Sequence, residues 1–267
     1  MNSIRSECET RVSTLTVLGC SGGIGGDAYR TTALLIDDDV LIDAGTGVAD
    51  LRIEALARID HMFLTHAHID HVACLPLLLD TVGPQRTKPF VVHCTVATEA
   101  VLRAHLFNGR LWPDFTRIPT PSRPFLRFEP LEEGRSCALG GRIFTALPAQ
   151  HAVPAVGYQV STPRGSLVFS GDSTSCPAFW RAVAQIPDLR YLIVETAFPD
   201  SQRELAIQSA HLCPALLAVQ LPQGCASFRL LISHVKPGHE EETMRELERV
   251  AGHYAPTMLM KGDVYRI

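Results

Sequence analysis

Residues Thr65–Val72 read THAHIDHV and place three histidines and one aspartate within six positions. The stretch follows the apolar run HMFL, which is typical of a buried strand. Ionisable groups at such a place are costly to bury unless they are paired or bound to metal. Neutral imidazoles and carboxylates are the usual ligands of zinc-like ions. Because His66 and His68 can point toward one ion, and Asp70 and His71 toward another, the stretch predicts ligands for two metal ions.

Three further polar residues each stand at the end of an apolar run. His151 ends IFTALPAQH, Asp172 ends SLVFSGD, and His234 ends LLISH. Taken singly, each histidine is more often a hydrogen-bonded core residue, and the aspartate a turn or N-cap residue. A binuclear centre needs more ligands than THAHIDHV supplies, and the recurrence of such residues at strand ends favours the metal interpretation for all three.

Composition limits the class of protein. The chain has 267 residues, 46% of them hydrophobic, and a formal net charge of -4. This length and composition fit one large α/β domain or two small ones, and we predict one domain spanning residues 1–267. Because lysine and arginine are not in excess, affinity for long nucleic acid is not expected, and a small substrate is favoured.

The sequence carries no evident targeting signal. Its start, MNSIRSECETRV, lacks the apolar centre of a signal peptide, and no apolar run is long enough to cross a bilayer. The eight cysteines include no C-x-x-C pair, which favours reduced thiols over disulfides or a thiolate zinc site. We therefore expect a cytoplasmic protein without membrane contact.

Short apolar strands and amphipathic helices alternate along the chain. The early strands follow one another closely, as in hairpins, whereas helices separate the later ones, and this mixture predicts two sheets with helices outside them. A proline-rich stretch at 112–130 predicts an irregular insertion at about 106–130. Strands are predicted at 13–19, 31–37, 39–45, 61–66, 90–94, 142–149, 155–161, 165–172, 191–198 and 230–235. Helices are predicted at 49–59, 95–107, 177–186, 211–221 and 239–252.

The stretch Leu18–Asp27, LGCSGGIGGD, resembles the glycine-rich turn of a dinucleotide-binding fold. In that fold the glycines open a helix whose N-terminus holds a pyrophosphate. Here they lead into TTALLID, which is typical of a strand. We interpret the stretch as a tight turn whose backbone could line a site.

Five motifs resemble those of the metallo-β-lactamase fold hydrolases: LIDAG at 41–45, THAHIDHV, His151, SGD ending at Asp172, and ISH ending at His234. The resemblance covers almost the whole chain and implies a four-layer αββα sandwich. It also implies two zinc ions at the edge of the sheets, with Mn²⁺ or Fe²⁺ as an alternative in one of the two positions. It implies one ion bound by His66, His68 and His151, a second bound by Asp70, His71 and His234, and Asp172 bridging both. Asp43 would orient a ligand.

Three finer features resemble the branch of that family that contains tRNA 3′-end nucleases and class II cyclic-nucleotide phosphodiesterases. They lie at 151–160, 192–200 and 209–218. The resemblance implies that His211 acts near the leaving group and that Glu195 orients it; with Asp70 these residues form the predicted catalytic set. The alternatives are an N-cap role for His211 and a purely structural role for Glu195.

Within this branch, the segment His105–Thr116 resembles the F-N-x-x-x-W-P pattern of class II phosphodiesterases. A tRNA nuclease would carry HST where this chain has HLC at 211–213. We therefore predict hydrolysis of 3′,5′-cyclic nucleotides of the cAMP or cGMP type to 5′-nucleoside monophosphates, with a hydroxide shared by two zinc ions as the nucleophile. The alternatives are an RNA endonuclease like tRNase Z, a thioester or lactone hydrolase on the same metal core, and a zinc-dependent sensor without catalysis.

A nucleotide base needs a surface on which it can stack. Phe107, Asn108 and Trp112, all in the insertion, are the candidates for substrate binding. Aromatic residues in such a segment more often pack a core or a subunit contact, so both interpretations stay open. The resemblance to class II relatives also implies a homodimer.

Overall fold

The computed structural model describes residues 12–222 and 228–267. The start of the chain, on which the expectation about targeting rests, lies outside the described residues, as do Cys8 and Cys225. Two seven-stranded sheets pack face to face, and helices cover their outer faces. The predicted αββα sandwich is thereby confirmed.

The first sheet is mixed. Its strands, in spatial order, are β16 (Val264–Arg266), β1 (Thr14–Gly19), β2 (Ala33–Ile36), β3 (Val40–Ile42), β4 (His61–Phe63), β5 (Phe90–Cys94) and β8 (Leu126–Pro130). The strands from β3 to β8 run parallel to one another. A two-stranded hairpin of β6 (Pro119–Thr120) and β7 (Arg123–Pro124) precedes the last of them.

The second sheet is also mixed. Its strands, in spatial order, are β15 (Thr257–Met258), β14 (Arg229–Ser233), β13 (Leu189–Glu195), β12 (Gly165–Phe169), β11 (Val156–Thr162), β10 (Arg142–Pro148) and β9 (Ser136–Leu139). The strands from β12 to β15 are parallel, and β9 to β12 pair antiparallel. The α-helices are α1 (Ile53–Leu56), α2 (Ile69–Val72), α3 (Leu75–Val82), α4 (Val96–His105), α5 (Pro177–Val183), α6 (Arg203–Gln208), α7 (Pro214–Ala218) and α8 (Glu240–Ala251).

Three hydrophobic clusters fill the spaces between the four layers. Side chains on a strand alternate between its two faces, so Leu41 packs under the helices of the first sheet while Ile42 points between the sheets. Ile193 belongs to the same central cluster, whereas its neighbour Leu192 packs under the helices of the second sheet. Both sheets are therefore buried on both faces, which explains the nearly continuous apolar runs of their strands.

All ten predicted strands are present, some of them shorter than predicted. The helix predicted at 49–59 contains only α1, because the preceding residues Thr46–Asp50 form a 3-10 helix. The prediction of an irregular segment at 106–130 was wrong for its last residues, which form the strand β8. There Leu126 and Phe128 alternate inward on β8, which pairs with β5, while the four prolines at 119, 121, 124 and 130 hid the strand pattern.

Among the described residues, no helix is both long enough and apolar enough to cross a membrane. The glycine-rich stretch leads into β2 without an intervening helix, which fits the tight-turn interpretation.

Candidate metal centre

The predicted ligands follow strands whose carboxyl ends meet at one edge of the sandwich. In the first sheet β3 and β4 are parallel, and they lead directly to Asp43 and to the THAHIDHV segment. In the second sheet β10, β12 and β14 run in the same direction, and they lead to His151, Asp172 and His234. Parallel strands of two facing sheets thus deliver polar groups to one place.

Three imidazoles converge on one point at this edge. His68 Nδ1 lies 3.1 Å from His66 Nε2 and 3.1 Å from His151 Nε2. The second ring nitrogen of His151 donates to the carbonyl oxygen of Ala210 at 3.0 Å, which directs its Nε2 inward. Burial lowers the pKa of all three histidines, so their inward nitrogens are neutral donors suited to a metal ion.

A second set of ligand atoms lies beside the first. Asp70 Oδ2 is 3.8 Å from His71 Nε2 and 3.8 Å from His234 Nε2. The burial of His234 lowers its pKa to about 3, which leaves that imidazole neutral. Burial alone would lower the pKa of His71 too, but the carboxylates of Asp172 and Asp43 outweigh it and raise the pKa well above the ordinary value. Metal binding at this set would therefore displace a proton from His71.

The carboxylate of Asp172 stands between the two sets. Its Oδ2 lies 3.8 Å from His66 Nε2 and 4.0 Å from His151 Nε2 in the first set. The same oxygen lies 3.4 Å from His71 Nε2 and 3.3 Å from His234 Nε2 in the second. One oxygen atom is thus within reach of ligands from both sets, as a bridging carboxylate requires.

The site has the chemistry of a divalent metal site. Three buried atoms of the ligand sets have no hydrogen-bond partner among the described residues: His71 Nε2, His234 Nε2 and Asp172 Oδ1. Leaving a buried polar atom unpaired costs about 1–3 kcal/mol, and a metal ion would give the two imidazole nitrogens a partner. Imidazole and carboxylate donors whose ligand atoms lie within 4.8 Å of one another fit such an ion.

Asp43 hydrogen-bonds to His71 on the side of the ring that faces away from the other ligand atoms. Its Oδ2 accepts the Nδ1–H of His71 at 2.7 Å, so that the inward nitrogen, Nε2, is the one that can bind a metal ion once its proton is displaced. The backbone N–H and the hydroxyl of Thr65 also donate to Asp43, at 2.8 Å and 2.9 Å. Asp43 is fully buried and has a left-handed φ of 59°, so its position depends on these contacts.

Asp43→Asn is expected to lower metal affinity on the order of 10–100-fold, because the amide weakens and disorients the hydrogen bond behind His71. Competition with a calibrated chelator measures this affinity. Asp80→Asn, on an exposed position of α3, is the matched control and should leave it unchanged. Equal affinities of wild type and Asp43→Asn would contradict the orienting role.

His211 and Glu195 form a buried pair next to the cluster. His211 Nδ1 lies 2.9 Å from Glu195 Oε1, and the carboxylate also accepts from the backbone N–H groups of Ser173 and Ala197, both at 3.1 Å. Burial lowers the pKa of His211, but the charge of Glu195 outweighs it and raises the pKa. The N-cap of α7 is Cys213, so the alternative of an N-cap role for His211 is wrong.

The imidazole of His211 contacts both parts of the cluster. Its ring centroid is 5.2 Å from that of His234, in a stacked arrangement, and 4.9 Å from that of His151. A proton-carrying group therefore lies at the edge of the metal site.

The three residues predicted to bind substrate have other contacts in the structure. Phe107 is 2% exposed and belongs to the core cluster of the first sheet, with Phe115 and Phe128. The side-chain oxygen of Asn108 accepts from two backbone N–H groups of its own turn. Trp112 is partly buried against the same core cluster. These contacts support the packing interpretation, and a substrate-binding role stays an untested prediction.

Phe107→Ala is expected to destabilise the fold by about 3–5 kcal/mol without changing substrate affinity, since it empties a buried ring site. Denaturant unfolding measures the stability. Leu111→Ala, at a residue 65% exposed in the same segment, is the control and should shift it by about 0.5 kcal/mol or less. A large rise in KM without loss of stability would instead favour substrate binding by Phe107.

Several supporting residues were not singled out from the sequence. The hydroxyl of Thr65 lies 3.0 Å from His66 Nδ1 and so touches a ligand as well as Asp43. Gly45 allows close packing, since a Cβ there would lie 2.4 Å from the Asp70 carbonyl oxygen. Gly22 packs as closely on the His234 carbonyl, so the glycine-rich stretch does approach the site. The LIDAG and glycine-rich motifs were the sequence signals that could have indicated these glycines. No sequence signal indicated that the carbonyl oxygen of Ala210 contacts His151.

Two facing mixed sheets with clustered histidines and aspartates at one edge define a hydrolase of the metallo-β-lactamase fold, a class whose fold implies a divalent metal ion. The chain belongs to the beta-lactamase superfamily, whose domain model matches residues 38–253.

The relatives include proteins named as a cyclic-nucleotide phosphodiesterase and as ribonuclease Z. The chain is 23% identical to a probable 3′,5′-cyclic-nucleotide phosphodiesterase of Yersinia pestis, over 90% of this chain and 82% of that protein. It is 32% identical to a ribonuclease Z of Bradyrhizobium diazoefficiens, over 51% of this chain and 46% of that protein. The crystal structure of unliganded yeast PDE1 superposes with a TM-score of 0.82 at 18% identity, covering 96% of this chain and 99% of that one.

Proposed function

We propose that the protein is a binuclear zinc phosphodiesterase that hydrolyses 3′,5′-cyclic nucleotides to 5′-nucleoside monophosphates. The observation that carries the proposal is the His211–Glu195 pair, buried against His151 and His234 at the metal site. Cleavage of a phosphodiester releases an alkoxide, which needs a proton from such a group. A thioester hydrolase has less use for it, because a thiolate is a better leaving group.

The ligand sets suit two ions. His66, His68 and His151 would hold the first, Asp70, His71 and His234 the second, and Asp172 would bridge them. Both ions would be zinc, with Mn²⁺ or Fe²⁺ an option in one position. When bound, a pair of such ions lowers the pKa of a shared water toward neutrality and offsets charge on the phosphate oxygens.

The chain's own residues then do three things. Asp70 and Asp172 supply negative charge inside the ligand sets. Glu195 accepts the Nδ1–H of His211 and raises its pKa, which favours the imidazolium form in which the other ring nitrogen, Nε2, also carries a proton. His211 Nε2 would give this proton to the departing 3′-oxygen. The imidazole is 7% exposed, which limits competition from bulk water.

A ribonuclease of the tRNase Z type is the second candidate, and the match to ribonuclease Z favours it. The net charge of -4 supports the small substrate, because a protein that grips many phosphates needs a cationic surface. The predicted homodimer stays a prediction, which sedimentation velocity would test.

The test is release of 5′-mononucleotide from a panel of cyclic nucleotides by zinc-loaded protein. A bis-aryl phosphodiester and a precursor tRNA are assayed in parallel, and each reaction is repeated with a chelator. Turnover of at least one cyclic nucleotide that is lost on chelation is the expected result. Cleavage of tRNA without any turnover of cyclic nucleotides would establish the second candidate instead.

A further inference from the structure

A cleft of about 440 Å³ opens beside the metal centre. Its walls follow the carboxyl ends of β5, β8 and β10, and His151 belongs both to the cleft and to the first ligand set. A substrate whose reacting group lies at the ligand sets can therefore extend into the cleft without leaving the protein surface.

The charge of the cleft is negative. Glu132 and Glu133 line it, and no lysine or arginine is among its lining residues. Glu132 Oε1 accepts the backbone N–H of Val96 at 2.8 Å, which fixes that side chain. Glu133 is exposed and has no hydrogen-bond or ion-pair partner within residues 12–222 and 228–267. Its carboxylate is free to accept hydrogen bonds from a ligand.

Small apolar side chains form part of the cleft wall, and Thr95 and Gln150 add polar groups to it. Val153, Pro154 and Val156 line it together with four alanines. Pockets of about 300–1,000 Å³ that combine apolar walls with a few polar groups are typical of small-molecule sites. A flat, neutral ring system with N–H donors at its edge matches this surface, whereas a second phosphate would be repelled by the two carboxylates.

We propose that this cleft binds the nucleobase of the substrate and that Glu133 accepts a hydrogen bond from the exocyclic amino group of the base. The inference rests on the proposed function, because it places the phosphodiester at the metal site. It favours adenine, guanine and cytosine over uracil, which lacks the amino group. It also disfavours a polynucleotide, whose next phosphates would meet the acidic wall.

The test compares Glu133→Gln with wild type, using zinc-loaded protein. Glu133→Gln is expected to raise KM for 3′,5′-cyclic AMP about three- to tenfold, since a charged acceptor is lost. KM for 3′,5′-cyclic UMP and for a bis-aryl phosphodiester should not change. Glu241→Gln, on an exposed position of α8, is the matched control and should behave as wild type. An equal effect on all three substrates, or no effect on cyclic AMP, would overturn the assignment.

A binding measurement separates this inference from the proposed catalysis. Adenosine carries the base but no phosphodiester, and its affinity is measured by NMR titration of both proteins. Weaker adenosine binding by Glu133→Gln supports the cleft even if no cyclic nucleotide is hydrolysed, in which case only the proposed function fails. Turnover of cyclic AMP with adenosine binding unaffected by the substitution would overturn the cleft and leave the proposed function standing.

Discussion

Asp172→Ala is expected to lose all detectable metal-dependent hydrolysis and most of its bound metal. The Oδ2 atom of Asp172 lies between 3.3 and 4.0 Å from ring nitrogens in both ligand sets. Burial would raise the pKa of this carboxyl, but its interaction with His234 and with the protonated ring of His71 holds it well below its usual range. The charged carboxylate therefore supplies negative charge where two cations would have to lie close together. Alanine leaves mostly neutral donors there.

The measurement is metal content per chain after dialysis, together with the rate on a bis-aryl phosphodiester. Asp80→Ala, at an exposed position of α3, is the control for removal of an aspartate. Because Asp172 is buried, circular dichroism of both variants is the check that the fold is kept. A variant Asp172→Ala that keeps two ions and wild-type turnover would refute the bridging assignment.

The sequence predicted the layers of the fold because both sheets are buried on two faces. Runs such as FVVHC and GSLVF each contain only one polar side chain and are buried throughout, so each strand is visible without any partner. The strand β8 was not predicted because the prolines around it are unfavourable for a strand. Its pairing with β5 stabilises it, and such pairing cannot be recognised from one segment of sequence. The short helix α3 was missed for a related reason, since the eight residues LPLLLDTV are too few to reveal a period.

The ligand atoms were predictable to the extent that they follow strands. The cluster of histidines and aspartate in THAHIDHV is visible in the sequence itself. His151, Asp172 and His234 each stand at the end of an apolar run. The distances between them depend on two sheets facing each other, which no local pattern specifies. Only the tertiary structure brings His151 Nε2 within 3.1 Å of His68 Nδ1 across 83 positions of the chain.

Residues whose role depends on burial were the least predictable. Phe107 was considered for base stacking because aromatic rings serve that purpose on surfaces, yet its ring lies in the core. The acidic cleft was not foreseen, because Glu132 and Gln150 follow β8 and β10 of different sheets, and only the folded chain brings both residues to one cleft. The pairing of His211 with Glu195 came from resemblance alone, since neither residue has a local signature.

His211→Ala is expected to lower kcat for phosphodiester cleavage on the order of 10²–10⁴-fold, because the leaving oxygen loses its proton donor. Bound metal should be unchanged, since His211 is outside the two proposed ligand sets. His253→Ala, at an exposed histidine, is the control and should keep full activity. Single-turnover rates and metal analysis of both variants separate catalysis from metal loss.

Two further comparisons decide whether His211 acts as an acid. An ester with an activated aryl leaving group needs no proton, so the loss caused by His211→Ala should be much smaller for that substrate than for one with an alkoxide leaving group. Glu195→Gln should produce an intermediate loss of rate with the same dependence on the leaving group. In the wild type, Glu195 Oε1 lies 2.9 Å from His211 Nδ1, and an amide holds the imidazole less firmly than this carboxylate. An equal loss for activated and unactivated esters would mean that the pair shapes the site without transferring a proton.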